Sequence, residues 1–424
     1  MLDINFIREN QELIRDAARK KHIKFDIAKL IEEDDKRRSL LQGVEEIRAQ
    51  QNAAGEEIAK AKDGDREALV RSMKGLKETL QKKEEELEKV MKAWRLLMLQ
   101  VPNVPDVSVP EGEDDSKNQE IKAWGLQPQF AFTPKSHIEL MTALDMADFE
   151  RGAKVSGFRG YFLKNDGARL AFALWRFAQD FFLESSKGFT PIITPSIVRP
   201  EPFFGTGYLP QGEEDLYKTQ DGAYLTGTSE VPIMGYHMDE VIPKEKFPIK
   251  FFGFSSCFRR EAGSHGKDTK GIVRVHEFFK FEQVILCEAD HQTSVKYHEW
   301  INRNTEEAME KLGIPYHTVI NAGGDLGLGQ VKKYDIELWV PSEKRYREIS
   351  SASYFHDFQT RRLNIRYRGE DGKLRFAHSL NSTAIATPRL LVPLIENNQE
   401  ADGSIVIPKA LQPYMGKERI TKDR

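Results

Sequence analysis

The sequence predicts an α+β protein: an antiparallel β-sheet with flanking helices, preceded by a long antiparallel coiled-coil helical hairpin. Three observations predict it. Residues 27 to 98 contain no proline, a single aromatic residue (Trp94) and dense Lys, Arg, Glu and Gln, whereas from Trp124 onward the composition is ordinary. A stretch with three prolines and an acidic run, VPNVPDVSVPEGEDDSKN (Val101 to Asn118), separates the two regions. Beyond it, short strand-like runs and helix-like runs are not strictly interleaved, which favours an antiparallel sheet over a doubly wound parallel one.

The hairpin comes first. Leu69, Met73, Leu76, Leu80, Leu87, Val90, Trp94 and Leu97 fall on a 4-3 spacing broken only at Lys83. This is an a/d stripe held for four heptads. The preceding half is looser: Leu30, Leu41, Val44 and Ile58 fit a stripe, but Asp34, Arg37, Arg48 and Gln51 interrupt it. Asp63-Gly64-Asp65 is a turn signal between them. Two helices of about 33 residues folded back on each other reach roughly 50 Å. The expected organisation is an N-terminal region over 1–100, a linker over 101–118 and a globular body over 119–424.

In the body, a helix is expected near Gly167 to Ser186, with Leu170, Phe172, Leu174, Phe177 and Phe181 on or near one face. GFTPIITPSIV reads as a strand whose prolines limit its pairing. KFPIKFFGFSS, VRVHEFFKFEQVIL, YDIELWVP and RLNIRYRG read as further short strands.

Composition narrows the function. The 424 residues suffice for two or three domains, and 39% hydrophobic residues allow a sizeable core. A formal net charge of −3 excludes a globally basic nucleic-acid coat, so any such contact needs local basic faces. Cys257 and Cys287, the only cysteines, support neither a disulfide framework nor a cysteine zinc site. MLDINFIREN lacks a secretory pattern, and no window holds 18 apolar residues. The expectation is a reduced cytoplasmic protein that does not enter the membrane.

There is no Walker-type phosphate loop, and Gly323 to Lys333 fails the dinucleotide pattern because Lys332 stands where the third glycine belongs. Nucleotide binding must therefore use side chains. Arg259, Arg260 and Glu261 follow an apolar run; on a strand, Arg259 and Glu261 share one face. An Arg fork suits a phosphate and a carboxylate suits an exocyclic amine, although a surface ion pair explains the triplet equally simply. His265, Lys267 and Lys270 form a cationic rim after it. Phe278, Phe279 and Phe281 accompany Glu282 on the returning strand, as a stacking platform or as core. Thr228 and Glu230 suit an ammonium group, or else cap a helix. Glu348 stands at the end of a strand-like run with Ser350 and Ser351 after it. Such oxygens suit Mg²⁺ held against phosphates, or a turn with local hydrogen bonds. Thr387-Pro388 reads as the start of an apolar helix with Arg389 in its first turn, a placement that makes sense beside an anion.

These stretches together resemble a known family. FRREAGSHGKDTKGIVRVHEFFKFE is similar to motif 2 of the class II aminoacyl-tRNA synthetases, and its E-A-G-S-x-G-K-D-T-K-G core resembles the seryl-tRNA synthetase family in particular. Thr228 to Glu230, Arg347 to Ser353, Phe203 to Thr219 and Asn381 to Arg389 are similar to that family's other signatures, in the same order along nearly the whole chain. The resemblance implies a class II catalytic core over 119–424 and an N-terminal tRNA-binding arm. It implies that Arg259 and Arg389 are catalytic. For ATP it implies Arg259, Arg260, Glu261, Val275, Phe278, Glu348, Ile349, Ser350, Ser351 and Arg389. In that set Glu261 meets the adenine amino group, Phe278 and Arg389 flank the ring, and Val275 offers backbone. It implies Thr228, Ser229, Glu230, Arg259, Glu282, Asn381 and Thr383 for L-serine, with Glu282 accepting from its hydroxyl. Glu348 and Ser351 would hold Mg²⁺. Arg38, Arg48, Lys60 and Lys62 are candidates for tRNA(Ser), with tRNA(Sec) left open as a second acceptor, and motif 1 implies a homodimer. The chain departs from the common bacterial pattern at Ser382-Thr383-Ala384 and at Pro388, losing glycines but keeping a hydroxyl at Thr383. His378 and Ser379 carry no weight in this reading. The alternatives are a non-catalytic paralogue that binds RNA or a partner through the coiled coil, and a ligase that loads a carrier protein.

Overall fold

The structure is a computed structural model that describes residues 1–422 apart from 264, 265 and 267, and only the backbone of 63–65. His265 and Lys267 of the expected cationic rim therefore lie outside the described residues. The chain divides into two compact units, residues 2–19 with 23–102, and residues 1, 20–22 and 103–424.

The first unit holds short helices α1 (Ile4–Glu9) and α2 (Gln11–Lys20) and two long ones, α3 (Ile27–Lys60) and α4 (Asp63–Met98). The chain reverses at Ala61 and Lys62, so Asp63-Gly64-Asp65 is the first turn of α4 and not the turn itself. Two of the polar interruptions in the α3 stripe, Asp34 and Arg37, have structural partners within this unit. Asp34 is buried and accepts from Arg8 at 2.9 Å and Arg37 at 2.8 Å. Arg37 also lies 4.8 Å from the Trp94 ring centre, a cation–π contact across the seam. Lys83 packs on Gly43, where a Cβ would come 2.6 Å from its Nζ. Arg48 is exposed, and Ile47 takes the buried position beside it.

The second unit is built on an eight-stranded sheet. In chain order its strands are β1 (Gln119–Trp124), β2 (Thr190–Ile193), β3 (Ile249–Phe258), β4 (Glu277–Cys287), β5 (Tyr316–Ile320), β6 (Lys332–Val340), β7 (Arg345–His356) and β8 (His378–Thr387). Their spatial order is β1-β5-β6-β7-β8-β4-β3-β2. Every pairing is antiparallel except β2 with β3. The run around Arg366–Arg368 belongs to a separate three-stranded sheet.

Side-chain alternation divides the labour of the central strand. On β4, Phe281 is core against Phe252, Phe279 packs edge-on to Trp175, and Gln283 donates to the Ile301 carbonyl at 2.9 Å. Those partners lie on β3 and on helices α5 (Asn165–Phe182) and α7 (His291–Leu312). Helix α6 (Glu230–Tyr236) lies between them in sequence, and α8 (Leu391–Asn397) follows β8. On α5, Leu170, Leu174, Phe177 and Phe181 are buried, but Phe172 is 57% exposed and lies off that face. Phe278, Lys280 and Glu282 alternate onto the other side of β4, where a cavity opens.

Candidate active site

The cavity, about 390 Å³, is lined by Thr228, Glu230, Arg259, Glu261, Val275, Phe278, Lys280, Glu282, Glu348, Ile349, Ser351, Asn381, Thr383 and Arg389 among others. Residues as far apart in sequence as Thr206 and Arg389 are thus brought to one cavity. Two β-bulges make this possible. Ile336 pairs with Ser350 but Glu337 pairs with Glu348, so Ile349 is an extra residue on β7. Strict alternation would put Glu348 and Ser350 together; the bulge turns Ser350 away and gives Glu348 and Ser351 one face. Ser350 is buried and its hydroxyl donates to the Thr383 carbonyl, so that side chain is directed away from the cavity. Likewise Phe281 pairs with Ile385 and Glu282 with Thr383, so the bulge at Ala384 sets Thr383 opposite Glu282.

Glu282 is the most heavily bonded group. Its carboxylate accepts from the Thr228 hydroxyl at 2.7 and 2.8 Å, the Ser229 hydroxyl at 2.6 Å and the Ser229 amide at 2.5 Å. It also meets the Lys280 ammonium at 2.8 Å. Burial alone would raise its pKa, but Lys280 and the Ser229 and Thr228 donors outweigh burial and hold it below the usual carboxylate value. Ser229 thus acts on Glu282 and is not itself a wall of the cavity.

Glu230 is set differently. Burial pushes its pKa up to about 7, against the hydrogen bonds it accepts from Gln359 at 2.7 Å and Tyr208 at 3.2 Å. Gln359 is held in turn by the Ser379 hydroxyl at 2.7 Å. Ser379, which carried no weight in the sequence reading, therefore supports the site. Glu230 opens α6, so Thr228 and Glu230 do not share a strand; Ser229 at the N-cap makes no side-chain cap, and the Glu230 amide donates instead to the Thr228 hydroxyl at 3.3 Å.

Strand β3 ends at Phe258, so Arg259 to Glu261 lie beyond it and the expected strand alternation does not apply. Arg259 still reaches the cavity: its Nη2 donates to the Gly227 carbonyl at 3.2 Å, and its guanidinium sits 5.3 Å from the Phe278 ring centre. Glu261, in the left-handed region at φ 57°, pairs with Arg274 at 2.5 Å and Arg159 at 3.8 Å. Arg260 does not line the cavity; its backbone amide donates to the Asp215 carbonyl. Small polar residues 378–387 form strand β8, and the helix starts only at Leu391, so Arg389 occupies the turn between them. It donates through Nε to the Val273 carbonyl at 2.9 Å and through Nη1 to the Glu348 carbonyl at 3.3 Å.

Among the described residues no group of three or more His, Cys, Asp or Glu could hold a metal ion alone. Glu348 with Ser351 is a two-oxygen set, which fits Mg²⁺ if phosphate and water complete its shell. The sequence reading missed Lys280, Tyr208, Gln359 and the turn Gly327 to Gln330, all of which touch the cavity or its carboxylates. Lys280 was accessible, because it stands two residues before Glu282 on an alternating strand.

Residues 215–398 match the tRNA synthetase class II core domain (G, H, P, S and T), and residues 1–105 match the seryl-tRNA synthetase N-terminal domain. The serine–tRNA ligase of Deinococcus radiodurans is 45% identical over 421 residues, covering 99% of each chain. The chain belongs to the seryl-tRNA synthetase family. A second member, the serine–tRNA ligase of Dictyoglomus turgidum, is 41% identical over 99% of both chains. In structure, the family's Pyrococcus horikoshii enzyme complexed with ATP superposes with a TM-score of 0.91 at 38% identity, covering 100% of both chains. The cytoplasmic serine–tRNA ligase of Naegleria fowleri in complex with AMP superposes with a TM-score of 0.87 at 34% identity, over 100% of this chain and 99% of that one. The resemblance of the sequence to seryl-tRNA synthetases and the class II core are therefore both borne out. Among the described residues, no helix is long and apolar enough to cross a membrane.

Proposed function

We infer that the chain is an ATP-dependent serine–tRNA ligase. The observation that carries this reading is one cavity holding two buried carboxylates, Glu230 and Glu282, beside a half-buried guanidinium and a ring, Arg259 and Phe278. Family membership along the whole chain supports it. Serine is a zwitterion with a hydroxyl. Glu230 with Thr228 takes the ammonium, Arg259 takes the carboxylate, and Glu282 with Asn381 and Thr383 takes the hydroxyl. ATP lies with adenine on Phe278, its amino group at Glu261, its edge along Val275 and Ile349, and its phosphates at Arg259 and Arg389.

The chemistry follows from placement. Serine's carboxylate oxygen attacks the α-phosphorus in line, forming seryl-adenylate as the bond to pyrophosphate breaks. The terminal ribose hydroxyl of tRNA(Ser) then attacks the seryl carbonyl and AMP leaves. Neither step needs a protein nucleophile, so positioning and charge stabilisation suffice. Arg259 neutralises charge on the α-phosphate, and Arg389 spans the nucleotide. Mg²⁺, held by Glu348 and Ser351, would supply charge compensation for the phosphates. Alanine would leave Glu282 and its donors without the hydroxyl they are built around, and such sites discriminate by about 10⁴-fold or more.

The helices α3 and α4 form the tRNA-binding arm, which would read the RNA through backbone and shape. The protein works as a cytoplasmic homodimer. Exchange of labelled pyrophosphate into ATP, run with each of the twenty amino acids, tests the reading. Exchange with serine alone is expected. A folded protein with no exchange would favour a non-catalytic paralogue. Charging assays with tRNA(Ser) and tRNA(Sec) separate the acceptors.

A further inference from the structure

The inner cavity contains three buried charged side chains, the carboxylates of Glu230 and Glu282 and the Lys280 ammonium, beside the half-buried Arg259 guanidinium. Glu230 and Glu282 are 3% and 2% exposed, and Lys280 is 6% exposed. The four formal charges cancel, which suits a zwitterionic ligand with a neutral side chain. The pair at its centre is Lys280 Nζ to Glu282 Oε1, 2.8 Å apart. Alternation along β4 forces the pairing, since residues 280 and 282 share a face and both line the cavity.

We propose that Lys280 sets the amino-acid specificity of this site by neutralising Glu282, so that the pocket accepts a side-chain hydroxyl and repels a side-chain ammonium. This rests on the reading of Glu282 as the acceptor for serine's hydroxyl. The need for such a device is physical. L-2,3-Diaminopropionate differs from serine by NH₃⁺ in place of OH, so size cannot reject it. A lone buried carboxylate would favour the cation over the hydroxyl, because an ion pair repays the carboxylate's desolvation better. Lys280 removes that advantage. Glu282 already accepts from the Thr228 and Ser229 hydroxyls, the Ser229 amide and Lys280, close to the roughly four lone-pair directions of a carboxylate. A hydroxyl can join this set by taking the place of a rotatable hydroxyl donor. An ammonium would sit as a second cation beside Lys280, and like charges brought together in a buried site exclude a ligand. The other charged groups facing Glu282 are of opposite sign, Arg259 just beyond β3 and Glu230 at the start of α6, while Tyr208 and Cys257 are neutral.

The test compares serine with L-2,3-diaminopropionate in pyrophosphate exchange. The full-length protein and its Lys280→Met, Lys280→Arg and Glu282→Gln variants are used, each checked for folding by circular dichroism. Lys280→Met should lose at least about tenfold in kcat/KM for serine, mainly through KM, and its serine-over-diaminopropionate ratio should fall at least about a hundredfold. Lys280→Arg, which keeps the charge, should hold the ratio to within about tenfold of the wild type. If Lys280→Met is folded but too slow, competition between the non-hydrolysable seryl- and diaminopropionyl-sulfamoyl adenosines measures the same ratio. A ratio within about threefold of wild type in folded Lys280→Met overturns the proposal. Glu282→Gln separates the two levels. Loss of serine-over-alanine preference there, with the Lys280→Met ratio unchanged, removes only the role of Lys280. Retention of that preference removes the reading of Glu282, and the role of Lys280 with it.

Discussion

Glu230 and Glu282 are the same residue type in one cavity, yet their environments drive them apart. Glu282 is held ionised by Lys280 and short donors, while burial lifts Glu230 to about 7. The sign of the consequence follows from proton linkage. An acid with a raised folded-state value binds protons on folding, so its contribution to stability is present below the ordinary carboxylate range and lost as pH rises through about 7. Serine's ammonium needs the ionised form. Serine KM should therefore rise by up to about tenfold per pH unit below pH about 7, and be flat over that range in Glu230→Gln. A wild-type profile with no inflection near 7 would separate Glu230 from the ammonium. Arg259→Ala should fold and lose adenylate formation; activity within about tenfold of wild type would remove Arg259 from the phosphates. Most of the charged groups that line the cavity were named from the sequence, because charged residues beside apolar alternating runs are costly unless they do something and the family resemblance chose between the readings they left open. The supporting groups were not. Gln359 and Ser379 are ordinary polar residues whose meaning exists only once two distant segments meet at Glu230.

At the scale of elements, strand existence was legible and strand geometry was not. Period-two hydrophobicity located β3, β4 and β6, but nothing in it marks the extra residue at Ile349 or Ala384. Those bulges decide that Ser351, and not Ser350, faces the cavity with Glu348. Likewise the residues before the helix-start signal at Thr387-Pro388 carried no strand signal, and it is tertiary pairing with β4 and β7 that makes 378–387 a strand. The arm was legible because a heptad stripe is a long, redundant pattern. Its polar interruptions became intelligible only through Arg8, Trp94 and Gly43. On the arm, Arg48 pairs with Glu84 at 2.7 Å, whereas Arg38, Lys60 and Lys62 are exposed candidates for phosphates. Replacing those three by Glu should leave serine-dependent exchange within about twofold and reduce tRNA charging at least about tenfold at moderate salt. Unchanged charging would take these residues out of the RNA contact. Cutting the hairpin back by deleting 27–98 should show the same division, with exchange kept and charging lost.

For the whole molecule, the uncovered apolar surface of the second unit argues for a partner copy. Beside α5 lies a groove of about 540 Å³ lined by Phe158, Tyr161, Phe172, Trp175, Phe279 and Pro388 among others. Near the edge strand β2, Ile193 and Ile197 are 82% and 61% exposed. An apolar edge of this kind invites pairing unless it is covered. A homodimer is the simplest cover for a chain of this family, and sedimentation should report twice the 48.6 kDa of one chain. The groove also borders the reaction site. Trp175 donates to the Thr387 hydroxyl at 2.7 Å, and Thr387 and Pro388, which precede Arg389, line both cavities. A partner that packs against Trp175 would therefore fix the turn carrying Arg389. Phe172→Glu places a charge at the rim of the groove without touching the active-site lining. It should yield a folded monomer whose pyrophosphate exchange falls at least about tenfold, because Arg389 is less well held. A dimer that survives this change would move the interface elsewhere. A fully active monomer would show that the turn at Thr387 to Arg389 holds without a partner.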